Sequence, residues 1–111
     1  MRDNRRKEPF RYIFQEPLSG YYTNKKNRRV SGSMKVVDIS LNGMRFSCAI
    51  NNKLVIKDEI FISFIYKNET ITAEGRIIWI EKDEETMSAG LYIFEYPERF
   101  QSVLRKLSNL E

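Results

Sequence analysis

From residue 30 onward, apolar and polar side chains alternate with a period of two in one segment after another, the pattern of strands with one buried face. Met34, Val36 and Asp38 alternate with Lys35, Val37 and Ile39. Leu41-Asn42-Gly43 then reads as a tight turn, with Asn42 and Gly43 supplying the positive φ that a sharp reversal demands. Beyond it Met44, Phe46, Cys48 and Ile50 share one face, and Arg45, Ser47 and Ala49 the other. Asn51-Asn52-Lys53 breaks the run. The segment EIFISFIY at 59–66 is densely β-branched and aromatic, and Lys67-Asn68-Glu69 predicts a hairpin into residues 70–80. There Ile71, Ala73, Ile77 and Trp79 face one way, which places Trp79 in the core. Met87, Ala89, Leu91 and Ile93 give a last strand. The period then changes: Phe100, Val103, Leu104, Leu107 and Leu110 form one apolar stripe and predict a helix over 97–109. Pro97 suits its first position, Glu98 its positive end, Arg105 and Lys106 its negative end.

Short antiparallel strands followed by one helix define the fold class as mainly β, a small antiparallel β-barrel with a C-terminal α-helix that covers an open end. At 111 residues the chain is one domain. No apolar run is long enough to span a membrane, and no signal-type apolar segment follows the basic start. One cysteine excludes an internal disulfide, and the absence of histidine removes His-based triads and the common zinc sites. No Gly-rich phosphate loop is present, Cys48 sits on an apolar strand face, and Asp83-Glu84-Glu85 reads as a solvated turn. The composition therefore points to a binding protein without a cofactor, not an enzyme.

Charge divides the chain. Residues 1–29 hold nine Lys/Arg against three Asp/Glu, and residues 30–111 hold ten against twelve. The opening MRDNRRKEPFR predicts a basic N-terminal arm over residues 1–12, leaving 13–111 for the barrel and its helix. Such an arm suits a phosphate-bearing ligand, a nucleic acid, an anionic surface or simple solubility. Residues 38–43, Asp-Ile-Ser-Leu-Asn-Gly, put Asp38 and Ser40 on one face ahead of the turn. A carboxylate there can accept two hydrogen bonds from a flat donor edge such as guanine N1 and N2. The plainer alternative is a hairpin turn whose Asp and Ser satisfy local backbone groups. Arginines nearby would clamp phosphates bidentately and stack on purines.

A basic RxxxR-like segment followed by (D/N)xSxxG and then a barrel pattern resembles the PilZ domain family, over essentially the whole chain. Asp38, Ser40 and Gly43 fall on the specified positions of the second motif, and Gly90 opens a GLYIF strand similar to one the family carries. In the first motif Arg11 is the second arginine, and Lys7, or Arg6 by a shift of one residue, fills the first position; Arg2 and Arg6 satisfy the spacing further from the barrel. The resemblance implies a bacterial, cytoplasmic receptor or adaptor for the second messenger cyclic di-GMP, with one ligand or an intercalated pair. Its ligand-binding residues would be Arg5, Arg6, Lys7 and Arg11 on phosphates and guanines, and Asp38 and Ser40 on a guanine edge, with Gly43 serving backbone geometry. A ligand-dependent closing of the arm would then signal to an unidentified downstream protein, with no DNA or RNA and no membrane insertion involved. Two other readings stay open. One is a PilZ-like scaffold that binds no nucleotide and works through protein contacts. The other is a barrel for single-stranded nucleic acid, with Tyr12, Tyr21 and Tyr22 as a stacking platform.

Overall fold

The alternation resolves into six strands and one helix. The computed structural model describes residues 11–41, 43–95 and 97–108. In chain order the elements are β1 (Arg11–Asn24), β2 (Ser31–Ser40), β3 (Gly43–Ala49), β4 (Glu59–Tyr66), β5 (Glu69–Lys82), β6 (Thr86–Glu95) and α1 (Glu98–Ser108). All neighbours pair antiparallel around the ring β1-β2-β3-β6-β5-β4, and β1 closes it on β4 from the pair Gly20–Phe64 to Asn24–Ile60. Closure removes the free edges of the sheet and gives each strand one packed face and one wet face. The mainly β barrel with its C-terminal helix is the fold the periodicity called for.

Val36, Ile39, Phe46, Ile60, Ile71, Ile77 and Ala89 are fully buried in the interior. The helix lays Phe100, Val103, Leu104 and Leu107 onto the same core, with the Phe100 ring meeting Phe64 edge-on at a centroid distance of 5.8 Å. The apolar stripe is thus spent within the chain. Its start falls one residue later than expected: the Pro97 carbonyl accepts from Gln101 N–H at 3.0 Å, so Pro97 flanks the helix and Glu98 opens it.

Three of the four register irregularities bear most directly on which side chains reach the outer wall. Residues 11–24 form a 14-residue strand where no clean period is visible. Its pairing with β2 is irregular between Ile13 and Leu18, and Phe14 and Tyr22 still reach the core. In β2 the register shifts between Val36 and Asp38, so Met34, Val36 and Ile39 point inward and Asp38 does not continue their face. In β5 a shift between Ile77 and Trp79 turns Trp79 out of the core, leaves Ile78 53% exposed and gives Ile80 the inward place. An irregularity of this kind opposes extra residues on one strand to fewer on its partner and inverts the face of everything after it.

The turn chemistry also differs from expectation at one hairpin. No described glycine has a positive φ, so Gly43 does not provide a left-handed turn residue. The left-handed pair is Lys67 (φ 49°) and Asn68 (φ 67°), a two-residue connection between β4 and β5.

Phe100→Ala should lower the unfolding free energy by about 3–5 kcal/mol through the cavity left against Phe64, read as an earlier urea midpoint. Burial pushes the Cys48 thiol above its ordinary pKa. Alkylation at about pH 8 should therefore be slow in the native protein and fast once urea exposes the thiol.

Candidate functional site

The β2–β3 hairpin and the start of β1 bring two distant parts of the chain to one place. Register sets Arg11 opposite Ser40 and Asp38 opposite Arg45. The irregularity in β2 turns Asp38 toward the outer wall, yet its side chain is only 3% exposed because two guanidinium groups cover it. Arg11 Nη1 donates to Asp38 Oδ1 at 2.8 Å, and Arg45 Nε donates to Oδ2 at 3.1 Å. Both bonds are charge-assisted, and a buried carboxylate is tolerated only with such partners. The arginines themselves are 49% and 42% exposed, so one carboxylate holds two cations that still face solvent.

Ser40 Oγ donates to the Gly43 carbonyl at 3.3 Å, tying the two sides of the reversal together. Gly43 is extended and lies so close to β6 that a Cβ built on it would fall on the Leu91 carbonyl. Across the site, the Trp79 indole lies over Gly90, where a Cβ would fall within the ring. These elements enclose a cleft of about 210 Å³ lined by Arg11, Ser40, Arg45, Trp79, Ile78 and Tyr92. A cleft with two exposed guanidiniums on one side and an indole on the other suits a planar, negatively charged ligand.

Of the residues singled out from sequence, Arg11, Asp38, Ser40 and Gly43 are therefore brought together. Arg5, Arg6 and Lys7 lie outside the described residues. Arg45, Trp79 and Tyr92 belong to the cleft and were not among the candidates. For Arg45 a signal existed: placing the turn at 41–42 puts it directly across from Asp38, where an opposite charge is favourable. For Trp79 none did, since the irregularity that expels it from the core leaves no mark on the alternation.

The three tyrosines do not make one platform. Tyr22 is 2% exposed inside the barrel, where its hydroxyl accepts from Asn51 Nδ2 at 3.0 Å and burial raises its pKa. Tyr12 packs edge-on against Phe14 at 5.1 Å, and Tyr21 is exposed on another part of the wall. Among the described residues there is no metal-binding group of three His, Cys, Asp or Glu, and no helix long and apolar enough to cross a membrane.

Comparison with known proteins places this geometry in context. A family model described as PilZ domain matches residues 4–109. Among solved structures, the chain resembles the PilZ domain with c-di-GMP of YcgR from Escherichia coli, with a TM-score of 0.73 and 15% identity over 94% of this chain and 88% of that one. It also resembles the PilZ domain of CeSA from a cellulose-synthesizing bacterium, with a TM-score of 0.65 and 13% identity over 88% and 93%. A third likeness is MrkH of K. pneumonia in its apo state, at 0.70 and 16%, covering 99% of this chain and 52% of that one. No curated protein sequence matches.

Gly90→Ala should force Trp79, the sole tryptophan, off the wall. The expected readouts are an emission maximum at longer wavelength and an overpacking cost of about 1–3 kcal/mol in urea unfolding.

Proposed function

The chain belongs to the PilZ domain family, and from that premise we propose that it is a cyclic di-GMP receptor whose N-terminal arm closes over the bound ligand. The observation that carries this function is the meeting of Arg11 with Asp38, 27 positions apart, at a cleft that also holds Ser40, Arg45 and Trp79. The YcgR domain, solved with c-di-GMP, supports the choice of ligand.

The ligand offers two phosphates and two guanines. Arg11 and Arg45 bring half-exposed guanidiniums that bind phosphate bidentately or stack on a purine. The cleft, at about 210 Å³, is below the roughly 300 Å³ at which pockets for whole drug-sized molecules begin. It takes one purine, stacked on Trp79, and the remainder of the ligand lies against the arm. Arg5, Arg6 and Lys7 meet the phosphates there, and neutralisation of their mutual repulsion draws the arm onto the barrel. Lys7 keeps the charge of the first motif but not the planar fork, so Arg6 supplies the bidentate contact.

Asp38 acts by exchange. With Arg11 turned to a phosphate, Oδ1 is released to accept the N1 and N2 donors of a guanine edge, while Arg45 keeps Oδ2 in place. Ser40 holds the reversal at Gly43 and adds its hydroxyl to the same edge. The domain catalyses nothing; its output is the altered surface of barrel and arm, presented in the cytoplasm to a downstream protein.

Calorimetric titration of cyclic di-GMP into wild type, Arg11→Ala and Asp38→Ala tests this. Wild type should bind, and each variant should lose about 2 kcal/mol, roughly 30-fold in affinity. No heat from the wild type would leave the scaffold that works through protein contacts alone, and undiminished affinity in both variants would move the site. Ligand should also protect residues 5–11 from trypsin; equal cleavage with and without ligand would refute the closing arm.

A further inference from the structure

Away from that cleft, the outer faces of β1, β4, β5 and β6 form a groove of about 540 Å³. Strand register lays two rows of side chains across it, Tyr21–Ser63–Thr72 and Thr23–Phe61–Glu74–Glu95. The second row sets two glutamates directly opposite each other on neighbouring strands, an unfavourable arrangement for like charges. Lys25 answers one of them: its ammonium pairs with Glu74 and sits 5.4 Å and 5.3 Å from the Phe61 and Phe94 ring centroids. Glu95 has no cationic partner among the described residues.

The turn between β1 and β2 carries the complementary charge. Lys26, Arg28 and Arg29 are exposed and make no ion pair among the described residues. The turn itself is firmly built. Asn24 Oδ1 accepts from the backbone N–H of Lys26 and Asn27 at 2.8 Å and 3.0 Å, and Asn24 N–H donates to the Val30 carbonyl at 2.9 Å. Lys25, the first residue of this turn, reaches the Phe94 ring beside Glu95, so the cationic turn and Glu95 border the same aromatic groove.

A patch with a positive lobe and a negative lobe on either side of its midpoint is complementary to itself under a two-fold rotation. We propose that this face is the seam of a two-fold symmetric dimer of the chain. Arg28 and Arg29 of each copy meet Glu95 of the other, and the half-exposed Tyr21 rings fill the groove between them. A partner carrying one sign of charge would satisfy one lobe and confront the other with its like; a second copy satisfies both. None of these residues lines the ligand cleft, so the dimer stands or falls independently of nucleotide binding.

Sedimentation velocity at about 100 μM protein in low salt should show a dimer that dissociates as salt screens the two lobes. Glu95→Lys alone and the double variant Arg28→Glu, Arg29→Glu alone should each be monomeric, because each gives both lobes one sign. Mixed in equal amounts they should form a heterodimer, each supplying the lobe the other has lost. Neither variant should lower the unfolding midpoint in high salt, since the replaced side chains are exposed. A monomeric wild type under these conditions, a dimer that survives either change, or variants that stay apart on mixing would overturn the proposal.

Discussion

One buried carboxylate organises the cleft end of the barrel. Asp38 is held by Arg11 from the first residue of β1 and by Arg45 from β3. Removing a partner from a buried ion pair leaves an uncompensated charge at a cost of several kcal/mol. The carboxylate in turn holds two half-exposed guanidiniums near each other. This interaction therefore ties the start of the first strand to the β2–β3 hairpin. Phosphate is chemically the same kind of partner for arginine as carboxylate. In the proposed exchange, a phosphate that takes Arg11 from Asp38 must therefore be accompanied by new donors to the buried carboxylate, the part assigned to the guanine edge.

The barrel wall delivers the remaining groups through its irregularities. Without the shift between Val36 and Asp38, either Ile39 or Asp38 would have to face the wrong medium. Without the shift between Ile77 and Trp79, the indole would enter a core already filled by Ile77 and Ala89. Gly90 then gives Trp79 a bare stretch of backbone to lie on. Each departure costs regular pairing and places one side chain on the outer wall, beside a closed sheet rigid enough to hold it. The cleft is lined by side chains placed where the period-two pattern fails, and bulges are over-represented beside functional sites.

The same failures decide what the sequence made legible. Strand β3, β4, most of β5 and β6, the helix and their buried faces follow from alternation and from the Phe100–Leu107 stripe, because there one face meets one medium up to the irregularities of the β5–β6 pairing. The motif at 38–43 identified Asp38, Ser40 and Gly43, but the reason for Gly43 was not turn conformation. It is the approach of β6, a contact between residues 48 positions apart, and nothing local signals it. The first strand was hidden by Pro17, by Ser19-Gly20 and by the irregular pairing between Ile13 and Leu18. Arg45 was available to cross-strand logic. Trp79 was not, since its orientation depends on how β5 pairs with β6.

The basic end of the sequence also divides once folded. Its nine Lys and Arg over residues 1–29 look like one cationic segment when only position in the chain is considered. Four of them, Lys25, Lys26, Arg28 and Arg29, follow the far end of β1, while Arg11 opens that strand at the cleft. Charges at opposite ends of a long strand act on separate neighbours, because solvent screening beyond about 8–10 Å leaves them weakly coupled. The cations at the cleft, Arg11 and Arg45, answer to Asp38. Of those after β1, Lys25 answers to Glu59 and Glu74. Among the described residues the positive charge at this end of the chain acts at two separate places, and a substitution at one end of β1 leaves the electrostatics of the other nearly untouched.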